Sequence, residues 1–343
     1  MLPTRTLRSL CFISYNPLHR QRTFIFHHLR PIQTLFSSTM PPPSADQAST
    51  NLPSYTHYPT VVFIGGGNMA EAIAGGLLAN GYPTHKIRVS EPFPDRVRYL
   101  KERYPSLNIV ADNHAAVRGA DDPDATVLRA DVVVLAVKPQ ILSTVVLDLA
   151  LTMQAVNPLV ISIAAGIRTE DILRWAGSKD VALVRCMPNT PALVLEGAAG
   201  LYATGNVSGE QKETAERILG AVSKKVCWVP KESALDAVTA VSGSGPAYFF
   251  LLMEAMEKAA LDLGLAPDVA KDLTVQTCLG AAKMAQTSPD DLATLRLKVT
   301  SPNGTTEAAI KTMEEGGVRE WVEAGVKAAD RRGKELAEMF GRE

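Results

Sequence analysis

The sequence predicts an α/β fold in which a mainly parallel β-sheet domain is followed by an all-helical domain. Short apolar runs alternate with amphipathic segments up to Pro230, and after that residue the strand signals stop. Strands that alternate with helices favour a parallel sheet covered by helices on both faces. The chain has 343 residues, 46% of them hydrophobic, which is enough for one or two domains with cores of their own.

Seven short runs are predicted strands, and amphipathic patterns that lie between most of them are predicted helices. The third run is apolar at every position from 132 to 137, which is typical of a strand that is buried on both faces. The predicted strands are residues 60–64, 86–90, 131–137, 159–163, 181–186, 200–203 and 226–229, and the predicted helices are 69–79, 95–103, 141–150, 169–175 and 209–221.

The part of the chain after Pro230 is predicted to be helical because Ala, Leu, Met, Glu and Lys dominate it. Pro267 and Pro289 stand at the first position of two patterns, where a helix tolerates proline. The predicted helices are 232–241, 246–263, 267–287, 289–299, 305–315 and 318–339. We therefore place an N-terminal segment and linker at 1–58, the sheet domain at 59–230 and the helical domain at 231–343.

The N-terminal segment differs in composition from the rest of the chain. From Met1 to Ala45 there is no Asp or Glu, and arginines are spread among Ser, Thr, Leu and Phe. This composition is typical of a mitochondrial transit peptide, so we predict a location in the mitochondrial matrix. The alternative is translation from Met40, which would give a cytoplasmic protein.

Charge and cysteine content exclude several classes of function. The formal net charge is −1, so no overall basic field attracts nucleic acid or a membrane surface. No apolar run approaches the roughly 20 residues that span a bilayer. The four cysteines are scattered and form no Cys-x-x-Cys or Cys/His cluster. This pattern suits a reduced compartment and argues against a structural metal.

A glycine turn, Gly-Gly-Gly-Asn-Met-Ala, joins the first predicted strand to the first predicted helix. In a dinucleotide fingerprint Gly65 would permit a tight turn, Gly67 would let the backbone approach a pyrophosphate, and Ala70 would let helix and strand pack closely. The helix start, at Asn68 and Met69, would offer unpaired N–H groups to the pyrophosphate. The sequence therefore predicts a Rossmann-type domain that binds NADPH or NADH.

A second candidate segment, Ala136-Val137-Lys138-Pro139, follows the third predicted strand. Ligands of open α/β sheets bind outside the carboxyl ends of the strands, so these residues are candidate cofactor contacts. Lys138 has the chemistry of a catalytic base. We favour the interpretation in which Lys138 and Pro139 shape the loop and backbone groups make the contacts.

A third segment, Met-Pro-Asn-Thr-Pro at 187–191, follows the fifth predicted strand. Its two prolines predict a stiff turn rather than a helix, and stiff turns position side chains well. Asn189 is therefore a candidate cofactor contact, and an ordinary structural turn is the alternative.

Two predicted helix starts in the helical domain are rich in glycine and hydroxyl residues. Such starts offer backbone N–H groups together with hydroxyl donors and can hold a carboxylate. Helix capping alone is the alternative, because Ser and Thr are favoured N-caps. Neither start contains Cys, His or an acidic residue, so covalent catalysis and metal hydrolysis have no obvious groups there. The two starts are Ser242-Gly243-Ser244-Gly245-Pro246 and Thr300-Ser301-Pro302-Asn303-Gly304-Thr305-Thr306.

Glu91 ends the second predicted strand, where an acidic residue usually accepts hydrogen bonds from the ribose 2′-hydroxyl and repels a 2′-phosphate. This position favours NADH and predicts a higher Michaelis constant for NADPH. Replacing Glu91 with Ser or Ala is expected to narrow the difference between the two Michaelis constants. In the alternative, Glu91 turns outward and Ser90 with Arg96 or Arg98 accommodates the phosphate of NADPH.

These segments, taken in order, resemble the Δ1-pyrroline-5-carboxylate reductase family. The resemblance covers roughly residues 60–340, and the two hydroxyl-rich helix starts are its most specific part. It implies reduction of Δ1-pyrroline-5-carboxylate to L-proline with NADPH or NADH, the last step of proline biosynthesis. A protonated cyclic imine is already an electrophile, so the cofactor carries the difficult step and the protein supplies orientation.

The resemblance also implies roles for particular residues. The Ser301 hydroxyl and the N–H groups of Asn303 and Gly304 would bind the substrate carboxylate, and Thr306 would bond to the ring nitrogen. The segment 242–246 would line the same pocket, and Asn113 would contact the adenosine ribose. Many members have Pro-Gly-Gly where this chain has Pro-Asn-Gly. Asn tolerates left-handed backbone angles, so the loop can keep its shape.

The resemblance further implies a homodimer with interlocking C-terminal helices, often assembled into a larger homo-oligomer. Two other functions remain open. A β-hydroxyacid dehydrogenase would use a lysine near the start of the helical domain, but Lys258 lacks the Gly-x-x-x-Asn context of that family. A non-catalytic NAD(P) sensor would not need to keep two such helix starts.

Overall fold

The computed structural model describes residues 58–119 and 128–341, so nearly all of the predicted targeting segment lies outside the described residues. The described strands form one eight-stranded sheet. They are β1 (Val61–Ile64), β2 (Ile87–Ser90), β3 (Asn108–Val110), β4 (Val132–Leu135), β5 (Leu159–Ser162), β6 (Leu183–Met187), β7 (Gly197–Ala203) and β8 (Ser223–Trp228).

The strands lie in the order β3-β2-β1-β4-β5-β6-β7-β8. Strands β1 to β6 pair in parallel, whereas β7 runs antiparallel to β6 and parallel to β8. The chain proceeds outward from β1 to β3 and then returns to place β4 on the other side of β1. This change of direction is the switch point at which open α/β sheets bind ligands. The predicted α/β fold with a mainly parallel sheet is confirmed.

Helices cover both faces of the sheet. Along β1, Val61 and Phe63 belong to one buried cluster, and Val62 and Ile64 belong to the other. Successive strand side chains point to opposite faces, so an apolar run is buried only when both faces are covered. The helices of this part are α1 (Asn68–Ala79), α2 (Pro94–Arg103), α3 (Asn113–Arg118), α4 (Pro139–Val156), α5 (Thr169–Trp175) and α6 (Gly209–Gly220).

Helix α4 is the only described helix that is long and apolar enough to cross a membrane. Its residues Leu142, Val146, Leu149 and Met153 are at most 1% exposed. Their three- and four-residue spacing places them on one face, which joins the core cluster that contains β4 and β5. Helix α4 is therefore a core helix of the sheet domain.

Two short elements, β3 and α3, were not predicted. The three-residue strand β3 is too short for a hydrophobic period, and it is held by parallel pairing with β2. Helix α3 begins after Asp112, whose side chain accepts a hydrogen bond from the Ala115 N–H at 2.6 Å. Such a local cap is present in the sequence, but the helix that it starts is only six residues long.

The chain after β8 is helical, as predicted. Two predicted helices are shorter than expected. Helix 232–241 passes into a π-helical turn at Thr239–Gly243, and helix 289–299 begins only at Leu292, after the capping residue Asp291, so Pro289 is not its first residue. The last helix, α12 (Val318–Gly341), packs against the π-helical turn, and its Phe340 reaches the core cluster around β4 and β5. The helices are α7 (Ala234–Val238), α8 (Gly245–Asp262), α9 (Pro267–Thr287), α10 (Leu292–Lys298), α11 (Thr305–Glu315) and α12 (Val318–Gly341).

Candidate active site

Gly65 forms the tight turn at the end of β1. Its φ is 96°, a conformation that L side chains rarely adopt. Its N–H donates to the Ser90 carbonyl at 2.9 Å. A Cβ at this position would lie 3.0 Å from both the Ala136 carbonyl oxygen and Val137 Cγ1. The turn is therefore wedged between the ends of β2 and β4, and the fold itself requires glycine here.

Gly67 stands at the open start of α1, where it is the N-cap residue. It is exposed, and no atom lies within 4 Å of a Cβ built on it. The N–H groups of the first turn, at Asn68 and Met69, have no partner within a helix. Ala70 is only 1% exposed, so the helix behind the turn packs closely on the sheet. The result is a bare helix N-terminus at the carboxyl edge of the sheet, which suits a pyrophosphate.

Gly66, the middle glycine of the turn, is held by two charged side chains. Its N–H donates to Glu91 Oε2 at 2.9 Å, and its carbonyl accepts from Arg96 Nε at 2.6 Å. The other Glu91 oxygen accepts from the Phe93 N–H at 3.0 Å. The Glu91 carboxylate thus supports the glycine turn from the end of β2, and its predicted hydrogen bond with a ribose stays a prediction. The carboxylate, 6% exposed, turns inward because a buried loop N–H needs an acceptor.

The two arginines considered as alternative phosphate ligands have partners of their own. Arg96 Nη2 pairs with Glu71 at 2.6 Å, and Arg98 Nη2 pairs with Asp95 at 2.6 Å on an exposed surface. Arg96 therefore supports the glycine turn rather than pointing freely to solvent.

Replacing Glu91 with Ala is expected to raise the Michaelis constants for NADH and NADPH by about tenfold. Loss of the carboxylate leaves the Gly66 N–H without its acceptor, which costs about 1–3 kcal/mol in the ordered turn. The rise should be smaller for NADPH, because repulsion of a 2′-phosphate is also removed. Initial rates with each nucleotide measure both effects. Glu102→Ala, on an exposed position of α2, is the matched control, and unchanged Michaelis constants in Glu91→Ala would contradict this role.

Asn113 lies in the first turn of α3, close to the end of β2. Ser90 Oγ donates to Asn113 Oδ1 at 2.6 Å. The pair stands on the β2 side of the glycine turn, on the same edge of the sheet. The predicted contact between Asn113 and the adenosine ribose stays a prediction.

The segment after β4 lies against the glycine turn. The Ala136 N–H donates to the Ile64 carbonyl at 2.9 Å, which carries the pairing of β1 and β4 to the rim of the sheet. Lys138 is the exposed N-cap of α4, and Pro139 is the first helical residue. These two residues open a second helix at the same edge, while their contacts with a cofactor stay predictions.

Asn189 lies on the loop that leaves β6, and its side chain is used within the protein. Nδ2 donates to the Ser242 carbonyl at 3.1 Å, and Oδ1 accepts from the Ala198 N–H at 2.9 Å. Both ends of a side chain that is only 9% exposed therefore have main-chain partners. The Asn189 amide thus joins two main-chain groups of the protein, and its predicted contact with the cofactor stays a prediction.

The first hydroxyl-rich helix start is not a simple cap. Ser244 is the N-cap of α8, but its side chain makes no capping hydrogen bond. Ser242 Oγ donates backward to the Val238 carbonyl at 2.9 Å. Both serines flank the end of the π-helical turn Thr239–Gly243, and such turns are frequent at functional sites. Capping alone therefore does not explain these residues.

The second hydroxyl-rich start, 300–306, forms a tight loop before α11. Asn303 has a φ of 58°, the left-handed conformation that its place in the loop requires. Its N–H donates to Glu307 Oε2 at 2.7 Å, and the Gly304 N–H donates to the Ser301 carbonyl at 3.0 Å. Closure of the loop uses both N–H groups, and the predicted contact of Asn303 and Gly304 with the substrate carboxylate stays a prediction.

Other donors of this loop remain available. Gly304 is the N-cap of α11, so the N–H groups of Thr305 and Thr306 lie in its open first turn. Among the described residues, the hydroxyls of Ser301, Thr305 and Thr306 form no hydrogen bond. We name this set the hydroxyl loop; its two N–H groups and three hydroxyls can together hold a carboxylate.

No hydrogen bond within the described residues joins the hydroxyl loop to the glycine turn. Outside α11, every hydrogen bond of segment 300–306 ends on residues 296–308, and α11 packs mainly on α12. Ser301 and Thr305 are exposed. One chain therefore presents the two groups of donors separately.

Two contacts that shape this site were missed from the sequence: Arg96 with Gly66, and Asn189 with Ser242. The first has no local signal, because the partners are 30 residues apart. The second has one. Pro246 has no N–H, so the Ser242 carbonyl one turn earlier must find another donor.

Comparison with known proteins finds a family model for each of the two parts of the chain. A family model for pyrroline-5-carboxylate reductase dimerisation matches residues 232–336, and a model for coenzyme F420-dependent NADP oxidoreductase matches residues 60–166. The chain is 48% identical over 283 residues to a curated pyrroline-5-carboxylate reductase of Pseudomonas aeruginosa. That match covers 82% of this chain and 98% of the relative.

Solved structures are similar over the same extent. A pyrroline-5-carboxylate reductase from Coxiella burnetii has 43% identity and a TM-score of 0.75, with coverage of 82% of this chain and 99% of that chain. A pyrroline carboxylate reductase from Plasmodium falciparum with NADP bound has 27% identity and a TM-score of 0.70, with coverage of 81% and 98%.

Proposed function

This chain belongs to the pyrroline-5-carboxylate reductase family, and from that premise we propose which of its residues carry the reaction. The protein is an NAD(P)H-dependent oxidoreductase that reduces Δ1-pyrroline-5-carboxylate to L-proline. The observation that carries the residue assignment is the bare start of α1: Gly67 faces open space while Ala70 is buried against the sheet.

The nucleotide would be held along the carboxyl edges of β1, β2 and β4. The N–H groups at the start of α1 would bind its pyrophosphate, because the helix dipole favours negative charge there. Gly67 allows close approach of the backbone, and Glu91 with Arg96 keeps the turn in shape. Asn113 stands at the ribose end and Ala136 and Val137 at the other side of the turn. The bound cofactor supplies the hydride.

The substrate is held by the hydroxyl loop. Ser301 Oγ and the N–H groups of Thr305 and Thr306 donate to its carboxylate at the positive end of α11. The Thr306 hydroxyl oxygen accepts from the protonated ring nitrogen. Because the imine carries its proton already, hydride addition to the imine carbon gives the secondary amine directly, without an acidic or basic side chain at the reacting atoms.

We further propose that two copies of the chain complete each other's sites in a homodimer. In the single chain, α8 and α9 expose large apolar side chains, among them Phe249 and Phe250 at 58% and 61% and Leu279 at 59%. Apolar surface of this extent marks an interface. A second copy that covers it supplies the hydroxyl loop opposite the first copy's glycine turn. Light scattering of the eluting protein should give a dimer or a multiple of one, and a monomer would contradict the proposal.

Both nucleotides are expected to support the reaction, and we propose a preference for NADH. The negative charge of Glu91 next to the glycine turn disfavours a 2′-phosphate, and Arg96 and Arg98 are already paired. Initial rates against each nucleotide, with the imine saturating, measure the preference. A lower Michaelis constant for NADPH would contradict it.

The activity is tested by following NAD(P)H absorbance with Δ1-pyrroline-5-carboxylate and by chiral chromatography of the product. We expect absorbance loss in proportion to the L-proline formed. A β-hydroxyacid dehydrogenase would instead form NAD(P)H from 3-hydroxy acids and NAD(P)⁺. A sensor would bind the nucleotide without turnover.

The cellular location is proposed to be the mitochondrial matrix, on the composition of the first 45 residues alone. Residues 1–58 fused to a fluorescent protein should direct it to mitochondria, whereas a fusion that begins at Met40 should not. A diffuse cytoplasmic signal from the longer fusion would favour the Met40 start.

A further inference from the structure

The Ser242 carbonyl lacks the hydrogen-bond donor that a regular helix would supply. In an α-helix it would accept from the N–H of residue 246, but Pro246 has none. The next N–H, of Ala247, donates to the Ser244 carbonyl at 3.1 Å instead. The backbone passes this point as a π-helical turn, in which the Ser244 N–H reaches back to the Thr239 carbonyl at 2.8 Å. The turn therefore leaves one carbonyl for a partner from elsewhere in the fold.

Asn189 provides that partner from the sheet domain. Its Nδ2 donates to the Ser242 carbonyl at 3.1 Å. The orientation of the amide is fixed, because its Oδ1 accepts from the Ala198 N–H at 2.9 Å. Pro188 and Pro191 restrict the backbone on either side, so the side chain rests on a stiff base. The amide thus bridges β7 and the π-helical turn with little freedom to rearrange.

Met187 and Gly243 bring the same two segments together sterically. A Cβ built on Gly243 would lie 2.5 Å from Met187 Cε, so glycine permits this close approach. Met187 ends β6, which runs parallel to β5 and thus ends at the edge that carries the glycine turn. The contact places residues 242–244 beside the carboxyl edge of the sheet.

We propose that Asn189 is a positioning residue for hydride transfer. Its amide fixes the π-helical turn on the end of β6 and so sets the distance between Ser242–Ser244 and the nucleotide. This inference rests on the proposed function. It explains in one step why the chain has both the stiff loop at 187–191 and the glycine-rich helix start at 242–246. The stiff Met-Pro-Asn-Thr-Pro loop and the Ser-Gly-Ser-Gly-Pro helix start contact each other through this hydrogen bond.

The isosteric replacement Asn189→Asp tests the hydrogen bond between Asn189 and the Ser242 carbonyl. Asp keeps an acceptor for the Ala198 N–H but sets an oxygen against the Ser242 carbonyl, so the turn must move away. We expect kcat with the imine to fall at least tenfold, with the Michaelis constant for the nucleotide within about twofold of wild type. With 4-deuterated nucleotide, the primary isotope effect on kcat should rise, because hydride transfer from a longer distance becomes rate-limiting.

Asn206→Asp is the matched control. Asn206 Nδ2 likewise donates to a main-chain carbonyl, that of Asp180, at 2.8 Å, but at the opposite edge of the sheet. We expect near-normal kcat and isotope effect in this control. Equal values in Asn189→Asp and Asn206→Asp would overturn the inference. A wild-type protein that leaves the imine unreduced would contradict the proposed function instead.

A second test does not depend on how well Asn189→Asp folds. Replacing Pro246 with Ala restores an N–H one turn after Ser242, which offers its carbonyl a local donor. In the double variant Asn189→Ala/Pro246→Ala, the loss of kcat should therefore be smaller than the product of the losses in the single variants. A loss of kcat in the double variant that equals the product of the losses in the two single variants would overturn the inference.

Discussion

Replacing Gly67 with Val is expected to weaken the binding of NADH and NADPH by on the order of a hundredfold and to leave the fold intact. A side chain here would occupy the space through which the backbone approaches the pyrophosphate. No protein atom lies within 4 Å of the added Cβ, so the folded chain itself meets no clash. Fluorescence titration with each nucleotide gives the dissociation constants, and thermal unfolding of the free protein gives the stability.

Variants of two other glycines serve as controls for this result. Gly205→Val, at an exposed position that is equally open, should leave nucleotide binding unchanged. Gly65→Ala should lower the unfolding temperature, because Gly65 has a φ of 96° and its Cβ would press on the Ala136 carbonyl. Normal nucleotide affinity in Gly67→Val would show that α1 does not bind the pyrophosphate.

Replacing Thr306 with Ala is expected to reduce kcat/KM for the imine by about ten- to a hundredfold. A hydrogen bond to a charged group is worth about 1.5–3 kcal/mol, and each 1.36 kcal/mol of barrier changes the rate about tenfold. The hydroxyl has no partner within the described residues, so its loss leaves the loop itself unaltered. Nucleotide affinity should stay near wild type, because the glycine turn is not touched.

Thr312→Ala on the same helix is the control for this effect. The Thr312 hydroxyl donates to the Ala308 carbonyl at 3.0 Å on the exposed side of α11, so its removal should not change kcat/KM. Thr306→Ser retains the hydroxyl and should recover most of the lost activity. If Thr306→Ala were as active as Thr312→Ala, the hydroxyl loop would not hold the ring nitrogen.

Much of the fold follows from local patterns in the sequence. The all-apolar run at 132–137 indicated a buried strand, and the structure has β4 at Val132–Leu135 between β1 and β5. The glycine turn indicated where a helix must begin, because the left-handed angle at Gly65 is a local requirement. Strand β3 escaped prediction because three residues carry no period, and its stability comes from pairing with β2.

The site was less predictable where a side chain could serve either a ligand or the protein. Glu91 and Asn189 both have the chemistry to contact a cofactor, and their positions after strands suggested that role. Each accepts or donates a hydrogen bond with a main-chain group of a distant segment, Gly66 in one case and Ser242 in the other, and their contacts with a cofactor stay predictions. Sequence distance hides such partners, whereas the conformation of Asn303 could be foreseen because it depends on the residue itself.

The central claim is that the glycine turn of one chain and the hydroxyl loop of a second chain act on one imine. It is tested most directly by combining two impaired variants, Gly67→Val and Thr306→Ala, through co-expression with different tags and isolation of the mixed dimer, which is assayed at nucleotide and imine concentrations that leave each parent with little activity. In that dimer one of the two sites combines an intact turn with an intact loop, so about half of the wild-type rate of L-proline formation should return. A mixed dimer that is no more active than its two parents under these conditions would contradict the claim.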